Sequence, residues 1–396
     1  MNSLNEKKAL KSLKYKEKRG NKEFNFTLYP LLFTLLFLPG CWDLEEVDRR
    51  AFTTTIGIDA ANNQNVILTV QIPIPQKMLP PGAGTGATQG KNFTTASMMG
   101  RSVANAFQGL QTKTSRRLVI QQNKSIIIGE NAARLGLYKL TDWLSRSPKS
   151  PPQALIFVAN EKSAHAILKF VPRQMLLPGL EFISAGLSAV KYNRTYFIPV
   201  WKFEQKLLYD AKDAYAPLID IGPTEGNYRI TGLAVFNGYK MTGKLDGKET
   251  QAFGILTGQM SSGGMSFEMP DHQIVSLRNV RGRTKIKIRI NHDQNPFFEA
   301  KSMVTAILNE RTDQKTNLSP KEIRKLEKII AQSLKERLTA VIAKLQAYNA
   351  DVIDFGEQLR IQHQDLWEKI NWKEIFPKAP YEVTVKVSLQ KDGVLR

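Results

Sequence analysis

Apolar residues recur along the chain in two rhythms, every second position and every third or fourth, which mark strands and amphipathic helices. Residues 53–60 (TTTIGIDA) and 65–73 (NVILTVQIP) predict two strands around a turn at Asn62-Asn63-Gln64. Residues 75–92, with three Pro and four Gly, read as a loop. From about Ala96 to Gln111 the pattern predicts a helix. Strands follow at 117–120 and 125–128, a helix near 131–145, and a buried strand at 154–159. A short helix from about Glu161 to Phe170 and another over 179–192 complete this half.

The order of elements changes after about residue 215. Residues 228–236 and 239–245 flank Asn237-Gly238, a hairpin signal because both residues tolerate positive φ. A strand cluster over 273–290 ends in Lys285-Ile286-Lys287-Ile288-Arg289-Ile290, whose alternation predicts a buried Ile face and exposed cations. Such a basic strand reads first as a plain solvated face, and second as a surface for anionic lipid headgroups or a wall polymer. The best-defined helix runs from Pro320 to about Tyr348. Ser319 is its N-cap, Glu322 completes a capping box, and Ile323, Leu326, Ile330, Leu334, Leu338, Val341 and Leu345 form one stripe. A shorter helix is expected over Glu357–Ile370, and a last strand over 381–389. Trp367 and Trp372 read as packing residues of this last part. Mixed strands and helices without regular βαβ alternation predict an α+β fold.

The first forty residues decide the expected compartment. A basic stretch to Glu23 precedes an 11-residue apolar run, Leu28–Leu38, too short to span a bilayer, for which a helix needs roughly 20 residues. The run ends in Leu38-Pro39-Gly40-Cys41, which resembles a bacterial lipobox. That resemblance implies that residues 1–40 are removed as a signal peptide and that Cys41 is lipidated and becomes the mature N-terminus. Two or more acyl chains would then anchor the body to the outer face of a membrane. Trp42, directly after the anchor, suits either the headgroup level or a core.

Composition narrows the remaining classes. The chain has 396 residues, 42% hydrophobic and 23% charged, an ordinary globular mix. A single Cys excludes an intrachain disulfide framework and a Cys-rich zinc site. The net charge of +20 points to a polyanion. Loss of residues 1–40 leaves 48 basic against 33 acidic residues, a net +15. An outer-face location argues against nucleic acid as the partner.

The usual catalytic patterns are not found. The loop around Gly82, Gly84, Gly86, Gly90 and Lys91 fails as a phosphate loop, because Thr85 stands where the first Gly is needed and Asn92 where Ser or Thr is needed. His165, His272, His292 and His363 are far apart in sequence and fall in no ligand motif. No G-x-S-x-G elbow occurs, and the one Cys is committed to the anchor. The expectation is therefore no enzyme, no cofactor and no metal.

Several blocks in order resemble one family, the Ger(x)C lipoproteins. They are Cys41-Trp42-Asp43 with Thr55-Ile56-Gly57-Ile58-Asp59; Gly100-Arg101-Ser102 with Ser115-Arg116-Arg117-Leu118; and Ile126-Ile127-Ile128-Gly129-Glu130 with Ala133 and Gly136. Gly232–Phe236 with Met241-Thr242-Gly243, and Asp354-Phe355-Gly356 with Trp367, Trp372, Phe376 and Pro377, complete the set. Gln121-Gln122-Asn123-Lys124 stands where many relatives carry a Gly-His-x-Lys-like stretch. The resemblance implies three consecutive α+β domains, placed at 42–204, 205–264 and 265–396. It implies a membrane-anchored C subunit of a spore nutrient germinant receptor, assembled with A-type and B-type integral membrane subunits. A solute-binding lipoprotein of a transporter shares the anchor and stays open as the alternative.

Overall fold

The computed structural model describes residue 33 and residues 46–62, 65–74, 91–172, 178–222, 226–291, 295–313 and 318–390. Residues up to Arg49 form one unit, of which a 3₁₀ turn at Val47–Arg49 is described. The second unit, Arg50–Arg396, begins with β1 (Arg50–Phe52), β2 (Thr55–Ala60), β3 (Val66–Pro73), β4 (Phe93–Gly100) and α1 (Val103–Lys113). Next come β5 (Arg117–Val119), β6 (Ser125–Gly129), α2 (Glu130–Leu135), α3 (Tyr138–Arg146), β7 (Leu155–Ala159), α4 (Ala164–Lys169), α5 (Pro178–Lys191) and α6 (Val200–Leu208). The chain then forms β8 (Tyr215–Ile221), β9 (Tyr228–Asn237), β10 (Lys240–Leu245), α7 (Gly247–Leu256), β11 (Met265–Glu268), β12 (Ile274–Ile290) and β13 (Pro296–Arg311). It ends with α8 (Pro320–Ala347), α9 (Phe355–Gln362), α10 (Gln364–Trp367), α11 (Trp372–Ile375) and β14 (Tyr381–Gln390). The fold is α+β, as the mixed pattern predicts.

Eight strands make the main sheet, in the order β10-β9-β8-β7-β6-β2-β3-β4. Its centre, β2-β6-β7-β8, is parallel, and antiparallel pairs flank it on both sides. Central strands of this kind are covered on both faces, so β6 (SIIIG) and β7 (LIFVA) are near-continuous apolar runs. Ile126 and Ile128 face a core shared with α1, α2, α3 and α6, while Ile127 faces Ile167, Leu168 and Phe182 of α4 and α5. Residues on either side of the expected 204/205 boundary share this sheet, since β7 pairs with β8. A second sheet, β11-β12-β13-β14, carries α8 on one face, and the buried stripe of α8 includes Leu326, Ile330, Leu334, Leu338, Val341 and Leu345. The capping box at Ser319 and Glu322 forms as expected. Between the sheets lies α7, buried from Thr250 to Leu256, which accounts for its lack of a polar face.

Four local expectations are corrected. The helix predicted from Ala96 begins only after Ser102, whose Oγ accepts the Asn105 N–H at 3.1 Å; residues 93–100 are strand β4, paired along its whole length with β3. A partner strand overrides weak local propensity there. The helix expected at 131–145 breaks at Gly136 (φ 125), and that expected at 357–370 breaks at His363 (φ −145, ψ 66). In the hairpin, Asn237 pairs with Lys240, so the two-residue turn is Gly238-Tyr239 and only Gly238 (φ 52) uses positive φ.

The 17-residue strand β12 contains a reset of its alternation. Val275 and Leu277 point to the core, and so do Val280, Gly282 and Ile288, five of the strand's buried residues at odd and then even positions. The switch occurs where Arg278 opposes Ile307 but Arg281 opposes Thr305, a bulge holding one extra residue, with Asn279 at φ 51. Without it, the odd-numbered Arg281, Arg283, Lys285, Lys287 and Arg289 would turn inward, since a one-residue slip swaps the two faces. Asn tolerates this backbone and β-branched residues do not. Asn279→Val should therefore lower stability by about 1–2 kcal/mol, whereas Asn279→Gly should change it by less than about 0.5 kcal/mol, measured by urea unfolding.

Candidate functional site

A cleft of about 710 Å³ opens at the C-terminal ends of β2 and β6. Its position follows from topology: the chain leaves β2 for β3 on one side, while β6 lies on the other. Strand ends that diverge in this way leave a crevice. Asp59, the last polar residue of β2, is 7% exposed, and its Oδ1 and Oδ2 accept the N–H groups of Ala164 (2.7 Å) and His165 (2.9 Å) at the start of α4. Burial raises the Asp59 carboxyl above its ordinary range, opposed by these two amides. Gly129 is required beside it, because a Cβ there would overlap Asp59 Oδ1.

The opposite wall is Glu130. It accepts the Glu161 N–H at 2.8 Å, Arg134 Nε at 2.9 Å and Lys244 Nζ of β10 at 2.8 Å. Burial works against its charge, but these donors outweigh burial and hold its carboxyl below the usual range. His165 lines the same cleft, with Nδ1 3.1 Å from Ser97 Oγ; burial and then Lys169 lower its pKa. Both carboxylates are thus engaged in fixing loops and helix starts, a positioning role. The described residues bring together no group of three metal-ligating side chains.

A second polar cluster joins the C-terminal part to the main sheet. Asp213, 2% exposed, accepts the Gly238 N–H (3.0 Å) and the Asp351 N–H (2.8 Å), and pairs with Lys373 Nζ at 2.6 and 2.7 Å. Asp351 in turn accepts the N–H groups of Phe355 (3.0 Å) and Gly356 (2.6 Å) and Trp372 Nε1 (3.0 Å). Burial, partly offset by the Gly356 and Phe355 amides, pushes the Asp351 carboxyl up to about 7, with Asp354 and Asp213 as further negative neighbours. Asp354 takes the left-handed conformation (φ 63) and pairs with the buried Lys206 at 2.6 Å. Phe298 stacks on Phe355 at 4.6 Å, and Trp372 sits 5.7 Å from Phe298 and 5.5 Å from Phe376.

Four of the five sequence blocks therefore resolve into two assemblies. Asp59, Gly129 and Glu130 meet at the cleft, with Lys244 directly after Gly243. Asp354-Phe355-Gly356, Trp372 and Phe376 meet at the second cluster. Gly356 and Gly243 are close-approach glycines, lying against Trp372 and the Tyr348 ring. Two family descriptions match the chain in the same order: "Spore germination protein N-terminal domain" over residues 43–221, and "Spore germination B3/ GerAC like, C-terminal" over residues 231–393. The chain belongs to the Ger(x)C family. Similar Ger(x)C sequences include spore germination protein GerQC of Bacillus cereus, 27% identical over 92% of this chain and 98% of the relative. Spore germination protein B3 of Bacillus subtilis is 25% identical over 92% of this chain and 97% of the relative. The crystal structure of the GerBC protein shares the fold, with a TM-score of 0.54 over 88% of this chain and 99% of that chain, at 19% identity.

Cys41, the lipidation residue expected from the lipobox, lies outside the described residues, as does Trp42. Trp367 and Trp372 pack 6.1 Å apart, in line with their expected packing role. The divergent Gln121–Lys124 segment is tied to the start of the unit: Asn123 Oδ1 accepts Thr53 Oγ1 at 2.8 Å, and the Lys124 N–H donates to Thr54 O at 3.0 Å. Sequence reasoning missed Asp213, Asp351, Lys373 and Lys244, which carry no local motif.

Two outcomes follow. Asp59→Ala and Gly129→Ala should each destabilise by about 1–3 kcal/mol, and the double variant by clearly less than the sum, since removal of Asp59 removes the overlap; denaturant unfolding of all four forms checks this. Asp351 binds a proton more tightly in the folded state than in the unfolded chain, where a carboxyl titrates near about 3.9. Its contribution is present at low pH and is lost as pH rises through about 7. Wild type should therefore gain in urea midpoint relative to Asp351→Asn between about pH 8 and about pH 5.

Proposed function

We propose that this chain is the lipid-anchored C subunit of a spore nutrient germinant receptor. It acts without catalysis, by assembling with A-type and B-type integral membrane subunits, and Cys41 carries the lipid. The observation that carries the reading is the succession of both family matches, over residues 43–221 and 231–393, behind a lipobox-like Leu38-Pro39-Gly40-Cys41. Among the described residues no helix is long and apolar enough to cross a membrane, so attachment in this reading rests on the lipid. A tether confines the body to the plane of its partners and raises their effective concentration. The tightly packed polar sites support the same reading, because Asp59, Glu130 and Asp213 spend their charge on shape.

A C-terminally tagged chain, gently solubilised from spore membranes, should bring down two multipass membrane proteins. Its N-terminal peptide should begin at a lipid-modified Cys41, and Cys41→Ala should lose both the lipid mass and the partners. Recovery of transporter components instead, or an unmodified Cys41 behind a retained Met1, would overturn the proposal.

A further inference from the structure

The outer face of the β12-β13-β14 sheet, opposite α8, carries a two-dimensional array of cations. The Asn279 bulge sets Arg281, Arg283, Lys285, Lys287 and Arg289 of β12 on it, all exposed. Register adds Lys301 of β13 opposite Lys285, and Lys386 of β14 beside Met303, both exposed. Seven cations thus share the face with two carboxylates, Glu299 and Glu382. Glu299 is taken by Arg289 (2.5 Å) and Lys301 (3.5 Å). Among the described residues, Arg281, Arg283, Lys285, Lys287 and Lys386 have no ion-pair partner.

Lys285 directly opposite Lys301 is a like-charge cross-strand pair, which destabilises a sheet. Glu299 offsets the charge of Lys301, while Lys285 has no carboxylate partner among the described residues, so part of this repulsion stays in place. A counter-charge from outside would relieve it. Cations here are spaced about 6.6–6.8 Å along each strand and about 4.8 Å between strands. The cations are thus spread over an area of three strands rather than along one line. Between the cations stand Thr305, Thr384, Ser388 and the exposed thioether of Met303. Hydroxyls suit phosphate oxygens, and Met303 suits the boundary between headgroups and acyl chains.

We propose that this sheet face is a docking surface for anionic phospholipid headgroups, so that the body lies with its C-terminal sheet against the bilayer. The inference goes beyond the receptor reading and does not require lipidation of Cys41. The test uses the full-length chain and sedimentation with vesicles of phosphatidylcholine, alone or mixed with phosphatidylglycerol. Arg283→Gln/Lys285→Gln/Lys287→Gln is compared with Lys321→Gln/Lys325→Gln/Lys328→Gln on α8, which removes the same charge elsewhere. Circular dichroism verifies that both are folded. The basic leader is common to all forms, so the ratio between them isolates the face.

Each cation near an anionic surface is worth roughly fivefold in binding, so the face variant should lose on the order of a hundredfold on phosphatidylglycerol vesicles. It should lose nothing on neutral ones, and the α8 variant should lose less than tenfold. Raised salt should abolish the difference. Equal losses for the two variants, or no loss for the face variant, would overturn the proposal. So would a loss seen with a soluble polyanion such as heparin and not with vesicles.

Discussion

Asp213 lies in the interior with its carboxylate committed to three donors from three separate stretches: the Gly238 amide, the Asp351 amide and the Lys373 ammonium. A charge taken out of water must be met by donors at fixed positions, and removal of one partner of such a set costs about 3–5 kcal/mol. This requirement holds the tip of the β9–β10 hairpin, the loop after α8 and the start of α11 in one relation. One step further Asp351, whose proton burial favours, accepts hydrogen bonds from the first turn of α9 and from Trp372. The aromatic stack of Phe298, Phe355, Trp372 and Phe376 closes around these two residues. The second sheet and the main sheet are thus joined by directional bonds as well as by the apolar packing of α7.

How much of this is readable in the chain depends on the range of the forces involved. β2, β3, α8 and β14 obey rules that act within a few residues, and the chain shows them plainly: alternation, a capping box, an apolar stripe. β4 does not, because its hydrogen-bond partner β3 lies across a long loop and outweighs the weak helical preference of Ala96–Met99. The bulge at Asn279 is written in one residue, an Asn among β-branched and basic neighbours, and an alternation count that runs past it assigns the wrong face to what lies upstream. The expected Ile face of 285–290 is nonetheless right in direction, with Ile288 buried and Ile290 fading to 37% exposure at the strand's end.

The polar assemblies were partly legible. Asp59, Gly129, Glu130 and Asp354-Phe355-Gly356 stood out as blocks, though nothing local says that the first three meet. Asp213 and Asp351 look like surface acids in sequence; only their distant donors distinguish them. Lys244 sits in an alternating strand and reads as a solvated cation, yet it reaches Glu130 across the sheet. Gly356 and Gly243 gain their meaning from aromatic rings far along the chain that a side chain would strike.

Charge in this molecule therefore has two settings. Inside, it is spent on shape, at Asp59, Glu130 and Asp213. Outside, on the C-terminal sheet, Arg281, Arg283, Lys285, Lys287 and Lys386 have no ion-pair partner among the described residues. The most direct test is germination itself, in a strain where this is the sole Ger(x)C chain. Spores lacking it should fail to lose optical density in response to nutrients, while responding normally to a trigger that bypasses receptors. An unchanged nutrient response, or loss of both responses, would contradict the account.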